Sequence, residues 1–509
     1  MKSSIKNFLS RYHPRYIRSL VYMAQASEYH PRDFLRWFWR VRDFLRVEQR
    51  KTLVKTPKAL LFLSILYVFA TLLCAFAIWV VLVWSVWWKY LIFLLVAAGM
   101  PFILVYGTAA LLFIFPFIQR PFEVVIVRRA RQRLAKHKGF KIAIAGSYGK
   151  TSMRQILKTV LGVGKRIAAP PGSYNTPLGI SAFVRNLKGD EEVLIFELGE
   201  YYPGDIKRLC ALVHPTIGVI TGVNEAHLEK FKDLERTRKT IFELADYLGD
   251  RPLYINGENK LAHEYAASLI PPFLKEGGRV PETEDLNPSP SSTPFKKGRI
   301  IPYTRAGAGE WKVEGAKTDL QGTSFLLRNG SRTIHAHSKL LGLHQVGPLT
   351  AAAHIASQLG LTSAQIRQGI AETKPFEHRL EPKTDAQGVT ILDDSYNGNP
   401  DGVRAVIEFL SSLKTGRRWY VTPGLVEMGP RKEEVHIKTG QQLARAGIEK
   451  VILIRNSVTP FIEQGLQEEK YTGEILWFDK ALDAFAALPN LTVKGDVVLL
   501  QNDWPDQYA

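Results

Sequence analysis

Two long apolar runs dominate the pattern of the N-terminal part of the chain. Residues 59–88 and 90–119 each contain 30 residues without a formal charge, and Lys89 alone separates them. Each run exceeds the roughly 20 residues that a helix needs to cross the apolar core of a bilayer. We therefore expect two transmembrane helices within 59–119, joined at Lys89, where a cluster of Trp and Tyr side chains suits a membrane interface. The alternative is a buried hairpin in a soluble core.

Residues 1–58 form a basic arm ahead of these runs. The segment Arg-Asp-Phe-Leu-Arg occurs twice, at 32–36 and 42–46, and apolar side chains are interleaved with arginines over 31–51. This pattern predicts a basic amphipathic helix lying on an anionic membrane surface. A helix packed against protein is the alternative.

Short apolar segments alternate with helical patterns after residue 139. Seven of these segments predict strands: KIAIAG (141–146), EEVLIFELG (191–199), TIGVITGV (216–223), PLYING (252–257), RWYVTPG (418–424), KVILIR (450–455) and DVVLLQ (496–501). The alternation predicts an α/β fold with largely parallel sheets. Residues 271–304, rich in Pro, Ser, Gly and charge, predict a long flexible insertion. A helical stretch ending at Lys374-Pro375 predicts a boundary between a central domain, 139–374, and a C-terminal domain, 375–509.

The net charge of +19 is concentrated beside the apolar runs. Residues 1–58 carry 14 Lys or Arg against 4 Asp or Glu, and residues 119–141 carry 8 against 1, so the remainder is nearly neutral. This distribution argues against nucleic-acid binding by the soluble part. Because cytoplasmic flanks of membrane helices are rich in Lys and Arg, we expect a multi-pass protein of the cytoplasmic membrane with residues 139–509 in the cytoplasm. Cys74 and Cys210 support neither a disulfide framework nor a zinc site.

The segment KIAIAGSYGKTS (141–152) carries the chemistry of a phosphate site. A predicted strand runs into a turn containing Gly146 and Gly149, and a helical pattern follows. Such a turn directs backbone N–H groups toward phosphate oxygens, while Lys150 supplies a cation and the Thr151 hydroxyl can bind magnesium. The pattern indicates a nucleotide site, although Ile144 stands where the usual phosphate-binding loop has its first glycine.

The shortened loop G-x-x-G-K-T after a strand resembles the signature of the Mur ligase family, and further family-like motifs follow in the family's order. These are SYNTPLG (173–179), FELG (196–199), NEAHLEKF (224–231), GLHQVGPLTAAAHIA (342–356), HRLE (378–381), DDSYNGNP (393–400) and VTPGLVEMG (421–429). The last two are close to the form typical of members that add D-alanyl-D-alanine to a cell-wall precursor peptide. The resemblance covers residues from about 140 to 509. It implies a central P-loop ATPase domain and a Rossmann-like C-terminal domain, preceded by the two-span membrane region.

The resemblance also implies ATP and Mg²⁺ as cofactors and suggests roles for individual residues. The implied catalytic residues are Lys150 at the β and γ phosphates, Glu197 and His227 at magnesium with Thr151, and Arg379 reaching in from the C-terminal domain. The implied nucleotide-binding residues are Gly146, Ser147, Gly149, Lys150, Thr151, Ser152, Asn224, His344, Arg379 and Asp394, with Asp394 at the ribose. The implied substrate-binding residues are Asn175, Thr176, Ser395, Tyr396, Asn397 and Asn399.

The implied reaction is ATP-dependent formation of an amide. A muramoyl-peptide carboxylate becomes an acyl phosphate, which the amine of D-alanyl-D-alanine attacks. Two alternatives stay open: a Mur-like ligase acting on a lipid-linked precursor, and a nucleotide-binding membrane scaffold. The expected partners are the nucleotide- or lipid-linked precursor, D-alanyl-D-alanine and membrane lipids.

Three departures from the family's pattern bear on these expectations. Gln345 and Pro348 replace two asparagines of the nucleotide-side element. Ile241 stands where many members have a carbamylated lysine, and Lys239, about 200° around the helix from it, is expected to point elsewhere. Residues 1–138 show no counterpart of the family's uridine-binding domain.

Overall fold

The computed structural model describes residues 10–27, 29–41, 43–48, 52–172, 174–224, 233–268, 300–396, 398–414, 416–426 and 428–502. These residues divide into two compact units between Val125 and Ile126. The division falls inside the long helix Lys89–Lys136, so the two ends of this helix belong to different units.

The N-terminal unit is helical. Its helices are Tyr16–Ala26, Pro31–Arg40, Pro57–Val83 and the first part of Lys89–Lys136, with 3₁₀ turns at Ser10–Tyr12 and Phe44–Arg46. Within the described chain, Pro57–Val83 and Lys89–Lys136 are long and apolar enough to cross a membrane, with windows of mean hydropathy 2.6 and 2.2. Two long apolar helices are therefore confirmed, with residues 84–88 connecting them, and their crossing of a membrane stays a prediction.

The predicted amphipathic helix over 31–51 is wrong in its length and in what its apolar face contacts. The helix begins at Pro31 and ends at Arg40. Phe34 and Phe38 are fully buried within a cluster of protein side chains, and Trp37 packs edge-on against Tyr22 with 6.0 Å between ring centroids. The apolar face is covered by neighbouring helices, which the pattern of a single segment cannot reveal.

The larger unit contains, among its described residues, a ten-stranded sheet. Its parallel part has the spatial order β2-β3-β1-β4-β5-β6, and four antiparallel strands continue it as β7-β8-β9-β10. The strands are β1 (Phe140–Ala145), β2 (Ile167–Ala168), β3 (Val193–Glu197), β4 (Ile217–Ile220), β5 (Leu253–Asn256), β6 (Ile300–Thr304), β7 (Gly307–Ala308), β8 (Trp311–Asp319), β9 (Gly322–Asn329) and β10 (Arg332–Ser338). The four strands predicted in this region are confirmed. Residues 300–304 of the predicted insertion instead form β6, and residues 271–299 lie outside the described chain.

Helices cover both faces of this sheet. They are Lys150–Gly162, Pro177–Val184, Asp205–Val213, Leu234–Leu248, Lys260–Ser268, Val346–Gln358 and Ser363–Glu372, together with the end of Lys89–Lys136. Successive residues of β1 point to opposite faces, so Ile142 and Ile144 join one core while Ala143 and Ala145 join the other. Burial on both faces explains why the parallel strands are continuous apolar runs in the sequence.

A second sheet follows in the C-terminal part of the described chain. Its order is β11-β12-β16-β13-β14-β15, and all neighbouring pairs are parallel except β11 with β12. The strands are β11 (Glu381–Thr384), β12 (Thr390–Asp394), β13 (Arg418–Thr422), β14 (Lys450–Ile454), β15 (Glu474–Phe478) and β16 (Val497–Gln501). The helices are Pro400–Ser412, Lys432–Arg445, Thr459–Glu468 and Ala481–Leu491. The three strands predicted here are confirmed, and with them the α/β class.

Candidate functional site

The carboxyl ends of β1, β3 and β4 meet at one edge of the first sheet. β1 pairs in parallel with β3 on one side and β4 on the other. After β1 the chain first forms β2 and β3 on one side of β1, and it then crosses to form β4 on the other side. Such a change of direction opens a crevice at the carboxyl ends of the strands. Gly146 follows β1, Glu197 ends β3 and Thr221 follows β4, so three loops converge on this crevice.

The loop after β1 requires its two glycines. Gly146 has φ 144°, and a Cβ atom there would lie 2.2 Å from Thr221 Oγ1. Gly149 has φ 73° and is the N-cap of the helix Lys150–Gly162, which has no side-chain cap. Ser147 N–H donates to the Gly222 carbonyl at 2.9 Å, which ties the loop to the end of β4. The first turn of the helix therefore presents its N–H groups to the crevice, as a phosphate site requires.

Two buried carboxylates face this loop. Thr151 Oγ1 donates to Glu197 Oε2 at 3.1 Å, and Lys150 Nζ donates to Glu200 Oε1 at 2.7 Å. Arg154 Nε lies 2.8 Å from Glu197 Oε1. Burial raises the pKa of Glu197, although the charges of Arg154 and Lys150 oppose the rise. The crevice is thus lined by alternating charges in a water-poor setting, where electrostatic interactions are strong.

The sequence motifs do not single out Arg154 or Glu200. Arg154 follows Lys150 by four positions and lies one helical turn further along the same face. That spacing is a signal from which Arg154 could have been found. Glu200 lies in the loop after β3, where spacing does not determine side-chain direction, so only the folded chain reveals its contact with Lys150.

Arg379 is held by an unusual backbone turn at the start of the C-terminal sheet. Its neighbours His378 and Leu380 have φ values of 61° and 48°, a conformation that L-residues adopt only under structural constraint. Asp394 Oδ1 accepts the Leu380 N–H at 3.2 Å, and Gln501 Nε2 donates to Asp394 Oδ2 at 2.8 Å. These contacts hold the backbone that follows Arg379 in this turn.

The Arg379 guanidinium is half-buried and lies 4.9 Å from the centroid of the Tyr396 ring. Burial lowers its pKa, while Asp394, Tyr396 and Glu197 raise it. Arg379 faces the helix Lys150–Gly162, since it lines one cavity together with Ser152 and Gln155 of that helix. Burial also raises the pKa of Asp394 to about 6, against the opposing effect of Arg379. Both oxygens of Asp394 accept hydrogen bonds from the protein, so it supports the Arg379 turn here, and its contact with a ribose stays a prediction.

A small cavity lies between the helix Lys150–Gly162 and Arg379. Its volume is about 30 Å³, and Ser152, Gln155 and Gln345 contribute to its lining. His344 Nε2 lies 2.9 Å from Gln345 Nε2, and burial lowers the pKa of His344 to about 4. The cavity has room for little more than water, so a nucleotide base requires it to widen.

Polar contacts connect the two sheet-containing domains beside the crevice. Asn224, which is buried, donates through Nδ2 to Asn399 Oδ1 at 2.8 Å and to Asp401 Oδ2 at 3.1 Å. Arg305 makes a two-pronged contact with Glu408 at 2.5 and 2.8 Å. Asn224 N–H also donates to Ser147 Oγ at 3.3 Å, which links this connection to the phosphate loop.

Several predicted substrate residues have local structural partners. Thr176 Oγ1 accepts the Gly179 N–H at 3.2 Å and caps the helix Pro177–Val184, while the Asn175 carbonyl accepts the Gly199 N–H at 3.0 Å beside the end of β3. Ser395 Oγ donates to Asp393 Oδ1 at 2.7 Å. Asn399 Oδ1 also accepts from Gly402 N–H at 3.0 Å. His227 and Asn397 lie outside the described residues.

The oxygen atoms at the crevice suit magnesium. No group of three or more His, Cys, Asp or Glu forms a metal site among the described residues. The Thr151 hydroxyl and the carboxylates of Glu197 and Glu200 are nevertheless oxygen ligands of the kind that Mg²⁺ prefers, and it commonly completes its shell with water and phosphate. Glu200 Oε2 is buried without a hydrogen-bond partner, which fits the addition of a cation at this place.

The helix Leu234–Leu248 carries no lysine toward the core at the position of the family's carbamylated residue. Ile241 is fully buried in the core on one face of the sheet. The Lys239 side chain is 66% exposed, with Nζ 3.8 Å from Glu235 Oε1. Lys239 thus points into solvent, as the helical spacing predicts.

Comparison with known proteins identifies relatives of the two sheet-containing domains. Residues 144–275 match the Mur ligase middle domain, and residues 378–501 match the Mur ligase, glutamate ligase domain. The UDP-N-acetylmuramoyl-tripeptide--D-alanyl-D-alanine ligase of Mycobacterium tuberculosis H37Rv is 26% identical over 320 residues, which are 62% of this chain and 58% of the relative. The ligase of the same name from Bacillus subtilis is 23% identical over 71% of this chain and 72% of its own length.

Solved structures agree in fold. MurF from Acinetobacter baumannii aligns with a TM-score of 0.62 and 19% identity, covering 75% of this chain and 77% of that one. MurF ligase from Thermotoga maritima, solved in complex with ADP, aligns with a TM-score of 0.61 and 21% identity, covering 75% and 80%. At these identities the likeness concerns the fold, and it confirms the predicted fold class. The two matched domains and the shared fold show that the chain belongs to the Mur ligase family.

Proposed function

We propose that the protein is an ATP-dependent ligase of peptidoglycan synthesis that joins D-alanyl-D-alanine to a muramoyl-tripeptide. The observation that carries this proposal is the position of Arg379, from the second domain, against the helix that bears Lys150 and the Thr151–Glu197 contact. The names of the relatives supply the acceptor and the amine. The match spans 58% of the Mycobacterium tuberculosis relative, so the activity of the whole chain is part of the proposal.

ATP with Mg²⁺, when bound, supplies the phosphoryl group that turns the acceptor carboxylate into an acyl phosphate. Such a transfer depends mainly on positioning and on neutralising charge. Lys150 would neutralise the β and γ phosphates. Thr151 and Glu197, with His227, would hold the magnesium ion. Arg379, fixed by its backbone turn, would meet the negative charge from the opposite side.

Amide formation follows when the amine attacks the acyl carbon. A C–N bond forms and the bond from that carbon to the phosphate oxygen breaks, so the products are the amide, phosphate and a proton. The C-terminal domain would hold the amine through the loop with Tyr396 and Asn399 and through a second loop at 423–426. His436 Nε2 accepts the Leu425 N–H at 2.8 Å and fixes that second loop.

The test is phosphate release by purified full-length protein supplied with ATP, Mg²⁺, muramoyl-tripeptide precursor and D-alanyl-D-alanine. Release is expected to require both the acceptor and the dipeptide, and L-alanyl-L-alanine serves as the matched control. ATP hydrolysis that ignores both substrates, or nucleotide binding without turnover, would favour the membrane scaffold instead.

We further propose that residues 59–119 cross the cytoplasmic membrane twice and leave residues 139–509 in the cytoplasm. The support is the exposure of large apolar side chains, including Leu72, Leu82 and Phe113, on the two long helices, together with the basic flanks. Reporter tags placed after residue 130 and near residue 89 are expected on opposite sides. Tags on the same side would contradict the two-span arrangement.

A lipid-linked acceptor is the second candidate substrate. The observation that favours it is the pair of apolar helices, which would hold the ligase beside a bilayer where such a precursor is concentrated. The comparison is turnover of one peptide on a uridine-diphosphate carrier and on a polyprenyl carrier. A clear preference for the soluble carrier would exclude this candidate and leave the ligase proposal intact.

A further inference from the structure

Glu200 is a buried carboxylate that the chemistry above does not use. Its side chain is 2% exposed, and Oε1 lies 2.7 Å from Lys150 Nζ. Its second oxygen, Oε2, is buried without a hydrogen-bond partner. An ionised carboxylate is stable in such a place only when cations or donors compensate its charge. Lys150 compensates the charge at Oε1, and Oε2 has no hydrogen-bond partner.

The Lys150 ammonium is held at the loop by two oxygens. It donates to the Gly146 carbonyl and to Glu200. A phosphate oxygen would occupy the same kind of position, because both anions accept charge-assisted hydrogen bonds of similar length from an ammonium. Glu200 therefore stands in for a phosphate at the loop lysine when no nucleotide is bound.

A nucleotide that takes Lys150 leaves Glu200 without its cation. Arg154 is already committed elsewhere, because its Nε lies 2.8 Å from Glu197 Oε1 and its Nη1 donates to the Gly172 carbonyl at 3.0 Å. Glu200 would then be a buried carboxylate close to the negative phosphates. A cation from solution can compensate this charge, and the nearby oxygens of Glu197 and Thr151 suit a divalent one.

We propose that Glu200 is a positioning residue that holds Lys150 before the nucleotide arrives and then turns to a magnesium ion beside Glu197. Binding of magnesium therefore strengthens nucleotide binding by more than the contacts between magnesium and the phosphates alone would. The inference rests on the proposed nucleotide site.

The test compares ADP binding to full-length protein with and without Mg²⁺ by titration calorimetry. Glu200→Gln removes the competing charge, so ADP alone is expected to bind about tenfold more tightly, and the gain from Mg²⁺ shrinks by a similar factor. The matched control is Glu192→Gln at the opposite end of β3, where Glu192 pairs with Lys165 at 3.3 Å. In this control, the ratio of the ADP affinity with Mg²⁺ to the ADP affinity without Mg²⁺ is expected to equal that of the wild type.

An unchanged ratio in Glu200→Gln would overturn the inference while leaving the nucleotide site intact. Absence of ADP binding to the wild type would contradict the proposed function itself, and the inference with it. Should Glu200→Gln not fold, Glu200→Asp withdraws the carboxylate by about 1.5 Å. Glu200→Asp is expected to shift this ratio of ADP affinities in the same direction as Glu200→Gln, but by less. An unchanged ratio in Glu200→Asp counts equally against the inference.

Discussion

Lys150 and Glu197 carry the charges on which the proposed phosphoryl transfer most depends. Lys150→Ala and Glu197→Ala are each expected to lower amide formation by on the order of 10²-fold or more, because each removes a preorganised electrostatic contact. Product formation followed by mass spectrometry measures the loss, and thermal unfolding checks that the variants are folded. The matched controls are Lys158→Ala, an exposed lysine on the same helix, and Glu192→Ala. Near-normal turnover by either site variant would contradict the assigned roles.

His344 links the site to pH. Burial lowers its pKa to about 4, with Arg305 adding to the effect and Glu408 opposing it, whereas an unfolded histidine titrates near 6.5. The unfolded chain therefore binds this proton more readily than the folded chain. The contribution of His344 to the free energy of unfolding is complete above about pH 6.5, and it falls as the pH drops toward 4. Thermal midpoints from pH 4 to 8 should fall more steeply below pH 6.5 in the wild type than in His344→Gln. Parallel curves would exclude this role.

The sequence identifies some site residues and misses others for a physical reason. Lys150, Thr151 and Glu197 end or follow strands, and the carboxyl ends of parallel strands necessarily share an edge, so their convergence could be predicted. The contact of Glu200 with Lys150 depends on how the loop after β3 folds back. Nothing in the spacing of that loop fixes the direction of a side chain.

Two polar contacts connect the two sheet-containing domains, and one of them is buried while the other is partly exposed to solvent. Asn224 is buried against Asn399 and Asp401, whereas Arg305 and Glu408 are 34% and 46% exposed. Asn224→Ala leaves buried groups without a partner and is expected to lower stability by about 1–3 kcal/mol. Glu408→Gln breaks an ion pair that water screens, so less than about 1 kcal/mol is expected. Unfolding midpoints of the two variants should rank in this order, and the reverse order would contradict it.

The helix Leu234–Leu248 makes a separate prediction about carbamylation. Ile241 is buried in the core and Lys239 faces solvent, so this helix supplies no carbamate to the site. Activity should therefore not change when bicarbonate is removed from the assay. Loss of activity on removal, restored by added bicarbonate, would show that a lysine elsewhere is modified.

The sequence predicts those strands whose residues are apolar because both faces of the sheet are buried. Each of the seven apolar segments after residue 139 forms a strand because a parallel sheet covered on both faces selects continuous apolar residues. The pattern of 31–51 predicts a helix on a membrane surface because it contains one apolar face. Protein and lipid can both cover such a face, and Phe34 and Phe38 pack into protein.

At the scale of the molecule, the chain combines two Mur ligase domains with a helical unit that those family matches do not cover. Residues 144–275 and 378–501 account for the proposed chemistry, and the apolar helices account for the proposed location. In the proposed mechanism, the acceptor carboxylate becomes an acyl phosphate in the crevice before the amide forms.

Transfer of ¹⁸O from the acceptor carboxylate to the released phosphate tests whether the acyl phosphate forms. The acceptor peptide is prepared with ¹⁸O in its terminal carboxylate and incubated with full-length protein, ATP, Mg²⁺ and D-alanyl-D-alanine. If the carboxylate attacks the phosphoryl group, the phosphate released during amide formation carries one ¹⁸O atom for each amide made. Unlabelled phosphate, or phosphate release without an amide product, would contradict the account.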